Sequence, residues 1–303
     1  MRIQSVNYQN TNYVSSNFRG GMYNPQGVKR SINPAATYIN DFIGRTLSIS
    51  RRMIKAPEAS IAPFTKVIQL KNKDGEGTYA WDINDGERTK YAVIMHGLSQ
   101  NISTIQHLYQ QIIEKTDYAV LAPEYRSFGE NPPEKIKPDV FFKDNTQALK
   151  YLKQERGIAP ENIRIIGYSF GGSPASRLAV KNPNLEGLIL VSAADAMKHG
   201  SVNIDSSFRK KLPNFIKFLY NHLAYIRSPL AGFLEAEKYL KQLNMPLDIV
   251  HAKDDKTVLV SASSNLAQAA GHCIKSRTIL PSGGHVLDSQ KVDAIVSLLN
   301  QKN

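Results

Sequence analysis

The chain has 303 residues, 38 Lys/Arg against 26 Asp/Glu for a formal net charge of +12, 42% hydrophobic residues and a lone cysteine, Cys273. That length can bury a full core, one cysteine excludes an internal disulfide and fits a reducing compartment, and no apolar run approaches the roughly 18 residues that cross a bilayer. The first 25 residues lack the apolar stretch of a secretory signal, so a cytoplasmic location is expected, with leaderless export the other route left open.

Charge is spread unevenly. Residues 1–64 hold eight Lys/Arg and two Asp/Glu, residues 196–245 hold eight and three, and the remainder is nearly neutral. A basic tail and a basic insertion do not make the basic recognition face of a nucleic-acid binder, so no nucleic-acid partner is expected. They are compatible with weak contact with an anionic membrane or lipid surface; the plainer reading is a solvated basic surface.

Along the chain, residues 1 to about 36 are rich in Asn, Ser, Tyr and Gly and show no period. They carry too few apolar residues to offset the entropy of ordering. Residues 37–55 have the pattern of a short amphipathic helix, and Pro57 and Pro63 mark a linker. Residues 1–60 are therefore read as a basic extension, and 61–303 as the folded domain. From Phe64, strands and helices alternate. "FTKVIQL" and "GTYAWDI" flank "KNKDGE" as a hairpin. "KYAVIMHG", a helix over 103–114, "YAVLAPEY", a helix within 140–156, and "NIRIIGYS" follow. "LEGLILVSA", "PLDIVHA" and "KSRTILP" complete eight strands, with "VSASSNLAQAAG" and "SQKVDAIVSLLN" as the late helices. Continuous apolar runs in the central strands predict an α/β fold: a mostly parallel eight-stranded sheet covered by helices on both faces. The basic, aromatic segment of about 196–243 interrupts the alternation as a helical insertion.

The stretch "IRIIGYSFGGSPASRLA" runs a buried strand into a helix, with Ser169 at the joint. So sharp a turn strains its central residue and leaves no room for side chains at Gly167 and Gly171. It would hold the hydroxyl above the sheet, near the positive end of the following helix. Ser169 is thus a candidate nucleophile, and a plain turn serine is the alternative. A hydroxyl needs a base, and the base needs an orienting acid. Of seven histidines, His285 in "LPSGGHVLD" sits on a Gly-rich loop after the last strand, where an imidazole can reach back over the sheet edge. The acid should come from a loop at the same end. "HAKDDKTV" offers Asp255 first and Asp254 second, and Asp195 in "SAADAM" is a third choice. The oxyanion of an acyl transfer needs backbone donors. Those chosen are the N–H of Phe170, next after the nucleophile, and of Leu98 in "HGLSQN", with Ser99 offering a side-chain donor. No His/Cys/Asp cluster has metal-ligand spacing, and no phosphate fingerprint stands in its setting, so neither metal nor cofactor is expected.

From Phe64 onward, "HGLSQN", "PEYRSFGEN", "GYSFGGSPAS", "HAKDD" and "GGHVLD" stand in an order that resembles the α/β-hydrolase superfamily, whose acid and histidine follow the serine in that order. The chain is similar to the single-domain branch that includes depalmitoylases and lysophospholipases. It departs from that branch at Glu124, Ser127 and Asn131, where Asp, Gly and Ser are usual. The resemblance implies a serine hydrolase acting on a small carboxylic ester or thioester through an acyl-enzyme. The second Gly of "GYSFGG" also occurs in prolyl-peptidase-like enzymes, which keeps a serine peptidase as an alternative, and a non-catalytic interaction protein on the same fold is a third reading. Residues 207–226 fall where this fold carries its lid. Apolar residues recur there at helical spacing, Phe215 and Leu219 among them, beside Arg209, Lys210, Lys211 and Lys217. Phe215 and Leu219 are the candidate acyl-binding residues; an ordinary packed lid helix is the simpler reading.

Overall fold

The computed structural model describes residues 55–301 apart from 72–76, 87, 99, 127, 130, 132–137, 197–198, 200 and 202–233. The expected N-terminal helix over 37–55 falls almost wholly outside the described residues, as do Phe215 and Leu219.

The strands are β1 (Thr65–Lys71), β2 (Gly77–Ile83), β3 (Lys90–Met95), β4 (Tyr118–Pro123), β5 (Ile163–Tyr168), β6 (Gly187–Val191), β7 (Leu247–Ala252) and β8 (Ile274–Leu280). They form one sheet in the order β1-β2-β4-β3-β5-β6-β7-β8. β1 and β2 pair antiparallel, with Thr65 opposite Ile83 and Lys71 opposite Gly77, as the hairpin pattern predicts. β2 also runs against β4, and every pairing from β4 to β8 is parallel. The chain steps outward from β3 to β4 and then builds β5 to β8 on the other side of β3. The direction of winding thus reverses between β3 and β5. Just beyond their carboxyl ends, connections leave to opposite sides and open a crevice, the usual place for a ligand in an open α/β sheet.

The five central strands, β3 to β7, are apolar on both sides because both sides are covered. Val93, Leu121, Ile165, Leu190 and Ile249 face a core shared with α2 (Pro138–Lys150), α3 (Gly172–Val180) and α5 (Ser261–Ala270), through Phe142, Leu178 and Leu266. Their neighbours Ile94, Val120, Ile166, Ile189 and Val250 face a second core with α1 (Gln106–Lys115) and α6 (Ser289–Asn300), through Tyr109, Ile112, Val292 and Ile295. Strand period and sheet position together explain why these runs are continuous rather than alternating. The edge strand β8 is mostly exposed and presents Lys275 and Arg277, charges that discourage edge-to-edge pairing.

Two buried polar groups tie the elements together. Arg164 on β5 and Asp248 on β7 are both fully buried and paired at 3.1 Å; Arg164 Nη1 also donates to Leu298 O at 2.7 Å, and Ser276 Oγ to Asp248 Oδ1 at 2.6 Å. Asp82 on β2 accepts from Tyr91 OH at 3.0 Å and Tyr151 OH at 2.5 Å. Tyr151 begins a π-helical turn, Tyr151–Glu155, that extends α2 and brings Arg156 Nε within 3.6 Å of the same carboxylate. Within the segment read as an insertion, residues 234–243 belong to the main core: Leu234, Ala236, Leu240 and Leu243 are buried in it, with α4 (Ala236–Leu240) between them.

Candidate active site

β5 ends at Tyr168, and the chain turns through Ser169–Gly171 into α3 at Gly172. Ser169 has φ +54°, the left-handed region that a side chain adopts only under constraint. The constraint comes from the glycines. A Cβ on Gly171 would stand 2.1 Å from Met95 O, and one on Gly167 would stand 2.7 Å from Ala175 Cβ. Both contacts are too close for any side chain, so the strand end, the turn and the helix can approach only as glycine backbone. The result is a serine lifted to the crevice at the end of β5.

The loop after β8 carries His285 to this point. Ser169 Oγ donates to His285 Nε2 at 2.9 Å, and His285 Nδ1–H donates to Asp255 Oδ2 at 2.8 Å. Asp255 lies in the turn after β7, its side chain fully buried, while the imidazole is 21% exposed toward the crevice. Its other oxygen, Oδ1, accepts the N–H groups of Thr257 and Val258, each at 2.9 Å. Burial alone would raise the carboxyl pKa. Hydrogen bonds from His251, His285 and Val258 N–H outweigh it and hold Asp255 well below the usual carboxylate range. The ionised acid in turn selects the His285 tautomer that has its proton on Nδ1 and a lone pair on Nε2 facing the serine.

The other two acids have different partners. Asp195 is buried and accepts from Ser201 Oγ and from Asn265 Nδ2, the latter at 2.6 Å. Asp254 is exposed and accepts from Gly284 N–H at 2.8 Å, so it binds the His285 loop rather than the imidazole.

Both stretches of backbone chosen for the oxyanion come near Ser169. Phe170 follows it in the turn, and Gly97, next to Leu98, is so close that a Cβ there would lie 3.5 Å from Ser169 Cβ. Ser99 lies outside the described residues. The loop bearing Leu98 is shaped by His96, which is fully buried. Its Nε2 meets Glu124 Oε1 at 2.7 Å, and its ring centroid lies 4.1 Å from that of Tyr125. Glu124 Oε2 accepts Ile102 N–H at 3.1 Å and Gln100 Oε1 accepts Gly97 N–H at 2.9 Å, so both ends of the loop are held. Glu124 is one of the departures from the usual pattern of the single-domain branch, and here it braces this loop.

Sequence reasoning missed several supports. Tyr168 OH donates to His285 O at 2.5 Å, and its ring stacks on the imidazole with centroids 5.7 Å apart. Burial raises the Tyr168 pKa strongly, which keeps it a donor. His251, His107 and Lys291 also serve this region. No signal marks them: His107 meets Leu287 far along the chain, and the nearby partners of His251 and Lys291 are brought together by the fold and by no recognisable motif.

A family model described as Serine aminopeptidase, S33 matches residues 86–231. The sn-1-specific diacylglycerol lipase ABHD11 of Mus musculus is 28% identical over 114 residues, which is 37% of this chain and 36% of that protein. The chain thus spans about a third of that relative's length. Among solved structures, an alpha-beta hydrolase from Vibrio vulnificus superposes with a TM-score of 0.61 at 22% identity, covering 91% of this chain and 98% of the other. The Pyrococcus furiosus esterase Pf2001 gives 0.60 at 17% identity, covering 78% and 89%. At those identities the structures speak for the fold alone. With the sheet order, they show that the chain has the α/β-hydrolase fold. Among the described residues, no helix is long and apolar enough to cross a membrane, and no group of three or more His, Cys, Asp or Glu is arranged to hold a metal ion.

Proposed function

We propose that the chain is a serine hydrolase that cleaves a carboxylic ester or thioester through an acyl-enzyme. The observation that carries this reading is the unbroken relay from Asp255 through His285 to Ser169, with contacts of 2.8 and 2.9 Å, ending on a serine held at φ +54°. Ser169 Oγ attacks the acyl carbon while its proton passes to His285 Nε2, and ionised Asp255 stabilises the imidazolium that forms. The N–H groups of Phe170 and Leu98 receive the oxyanion. As the tetrahedral species collapses, His285 returns the proton to the departing alkoxide or thiolate. Water then enters, gives a proton to His285, and the same steps in reverse order release the acid and restore Ser169.

The names of the relatives lean the same way: a diacylglycerol lipase and an esterase are among the proteins this chain resembles. Phe215 and Leu219 remain the proposed acyl contacts, and the basic residues around them remain a proposed contact with anionic lipid. The second reading, a serine peptidase, is favoured by the description of the matching family model. The same relay serves both, since an amide differs from an ester chiefly in needing its leaving amine protonated. Profiling against p-nitrophenyl esters, acyl thioesters and aminoacyl anilides tests the choice. Turnover of esters with fluorophosphonate labelling at Ser169 is the expected result. Efficient turnover of anilides alone would transfer the proposal to the peptidase, and an unlabelled, inactive protein would favour an interaction protein on this fold.

A further inference from the structure

Five consecutive residues around His285 are each tied through the backbone to a side chain from another part of the structure. Gly283 O accepts from Lys291 Nζ at 3.0 Å, and Gly284 N–H donates to Asp254 Oδ1 at 2.8 Å. His285 O accepts from Tyr168 OH at 2.5 Å, Val286 O from Lys291 Nζ at 2.8 Å, and Leu287 O from His107 Nε2 at 2.8 Å. The four side chains come from α6, the turn after β7, the end of β5 and α1. Lys291 alone holds two of the five, and its third N–H points to Asp288 Oδ1 at 3.3 Å, so all three donors of its ammonium have acceptors.

Lysine is almost never fully buried, because its charge must leave water. The Lys291 side chain is fully buried, on a helix whose neighbouring positions Val292 and Ile295 are apolar core. An apolar residue would serve packing as well or better. What it could not do is hold two carbonyls of a loop that has little stiffness of its own. Gly283 at φ +122° and Gly284 at φ +55° supply conformations other residues resist, and by the same freedom they let the loop wander. A Cβ at Gly283 would lie 2.4 Å from Asp288 Oδ2 and 3.0 Å from Lys291 Nζ, so stiffening by substitution at that position is closed off.

We infer that Lys291, with Tyr168, Asp254 and His107, forms a clamp that positions His285 for proton transfer, Lys291 being its centre. The clamp rests on the triad reading above, since it matters to the rate only if His285 is the base. Lys291 touches neither substrate nor reacting atoms; it acts through the loop. A general base must be held to about half an ångström, and a displacement of about 1 Å can cost roughly 100-fold in rate.

The test measures kcat and KM for p-nitrophenyl butyrate, the rate of fluorophosphonate labelling, and Tm, on the full chain and on Lys291→Met, Tyr168→Phe and Asp254→Ala. Lys291→Met keeps an unbranched side chain only one atom shorter and removes its donors. The expected result is a fall in kcat of about 10- to 100-fold with KM changed less than about threefold, and labelling slowed in step with kcat. A purely structural role predicts a lower Tm with kcat and labelling at wild-type values well below the melt, and that result overturns the inference. If Lys291→Met does not fold, the other two variants decide, since each removes one bond to the loop. A fall in kcat of about threefold or more with KM retained in both supports the clamp, and anything less overturns it. A wild-type chain that is neither labelled nor active overturns the triad reading itself, and the clamp with it; a labelled wild type with unaltered variants overturns the clamp alone.

Discussion

His251 Nε2 lies 3.5 Å from Asp255 Oδ2, so the carboxylate that orients His285 also faces a second, fully buried imidazole. The closer contact of that Nε2–H is Val258 O at 2.9 Å, and Val258 N–H donates back to Asp255 Oδ1 at 2.9 Å. His251 therefore braces the turn from both ends and adds to the field that keeps the acid ionised.

Acid should destabilise the protein in a window set by this carboxylate. Asp255 is depressed in the folded state, so its contribution is fully present above the unfolded carboxyl value of about 4 and is lost as the pH falls through its lower folded value. His251→Leu removes a donor and brings the folded value closer to the unfolded one. The pH-dependent loss of Tm below about pH 4 should therefore be smaller in the variant, whatever its absolute Tm. Melts of both proteins from about pH 6 down to about pH 2 check this, and parallel curves would mean that His251 does not act on the carboxylate.

Substitutions at the relay should separate chemistry from folding. Ser169→Ala and His285→Ala are each expected to lower ester turnover by at least about 10³-fold. Asp255→Asn should cost about 10²- to 10⁴-fold, because the wrong tautomer is presented to the serine. Asp195→Asn should change turnover little, since Asp195 holds Ser201 and Asn265 instead. Ser169→Gly should also be inactive, yet relief of the positive φ should offset the added chain entropy and leave it about 1 kcal/mol more stable. Steady-state rates beside urea melts read out both effects; an Asp195 variant slower than the Asp255 variant would reassign the acid.

The turn itself has no tolerance for a side chain. Gly171→Ala would drive a methyl group to 2.1 Å from Met95 O, backbone that cannot swing aside. Loss of about 3 kcal/mol or more is expected, seen as reduced soluble yield and a lowered urea midpoint. An equally stable Gly171→Ala protein would show that the ends of β3 and β5 are not so closely apposed.

The Arg164–Asp248 pair offers a test of the sheet. Both side chains are fully buried, so Asp248→Asn or Arg164→Met alone leaves one charge without its counterpart and should cost about 3–5 kcal/mol. The double variant should recover part of that loss, because the remaining charge is gone too. Denaturant midpoints for the four proteins give the coupling directly, and strict additivity would mean the two charges do not interact.

Most of the architecture was legible along the chain because its signals are local. "SQKVDAIVSLLN" carries a helical period, and the helix Ser289–Asn300 coincides with it. The continuous apolar runs of the middle strands announced burial on both faces. The turn at Ser169 was readable because only glycine fits at two fixed offsets from the serine. The segment 196–243 was less so. Its basic, aromatic character reads as one insertion, yet Leu234 to Leu243 joins the main core, since a buried face and an exposed lid helix share the same apolar spacing.

By itself, the sequence determined the alternation of strands and helices, the serine at a strand–helix joint, and a histidine on a flexible loop after the last strand. These follow from periodicity and from the steric demands of single residues. The sequence put Asp255 ahead of Asp254 and Asp195, but which side chain each of them meets was the work of tertiary structure. All three follow parallel strands with similar turn chemistry, and what separates them is which partner each meets across the sheet. The same holds for Lys291: along the chain it is one lysine among many in a helix, and only the packing of α6 under the His285 loop takes its ammonium out of water and turns its three N–H groups toward Gly283, Val286 and Asp288.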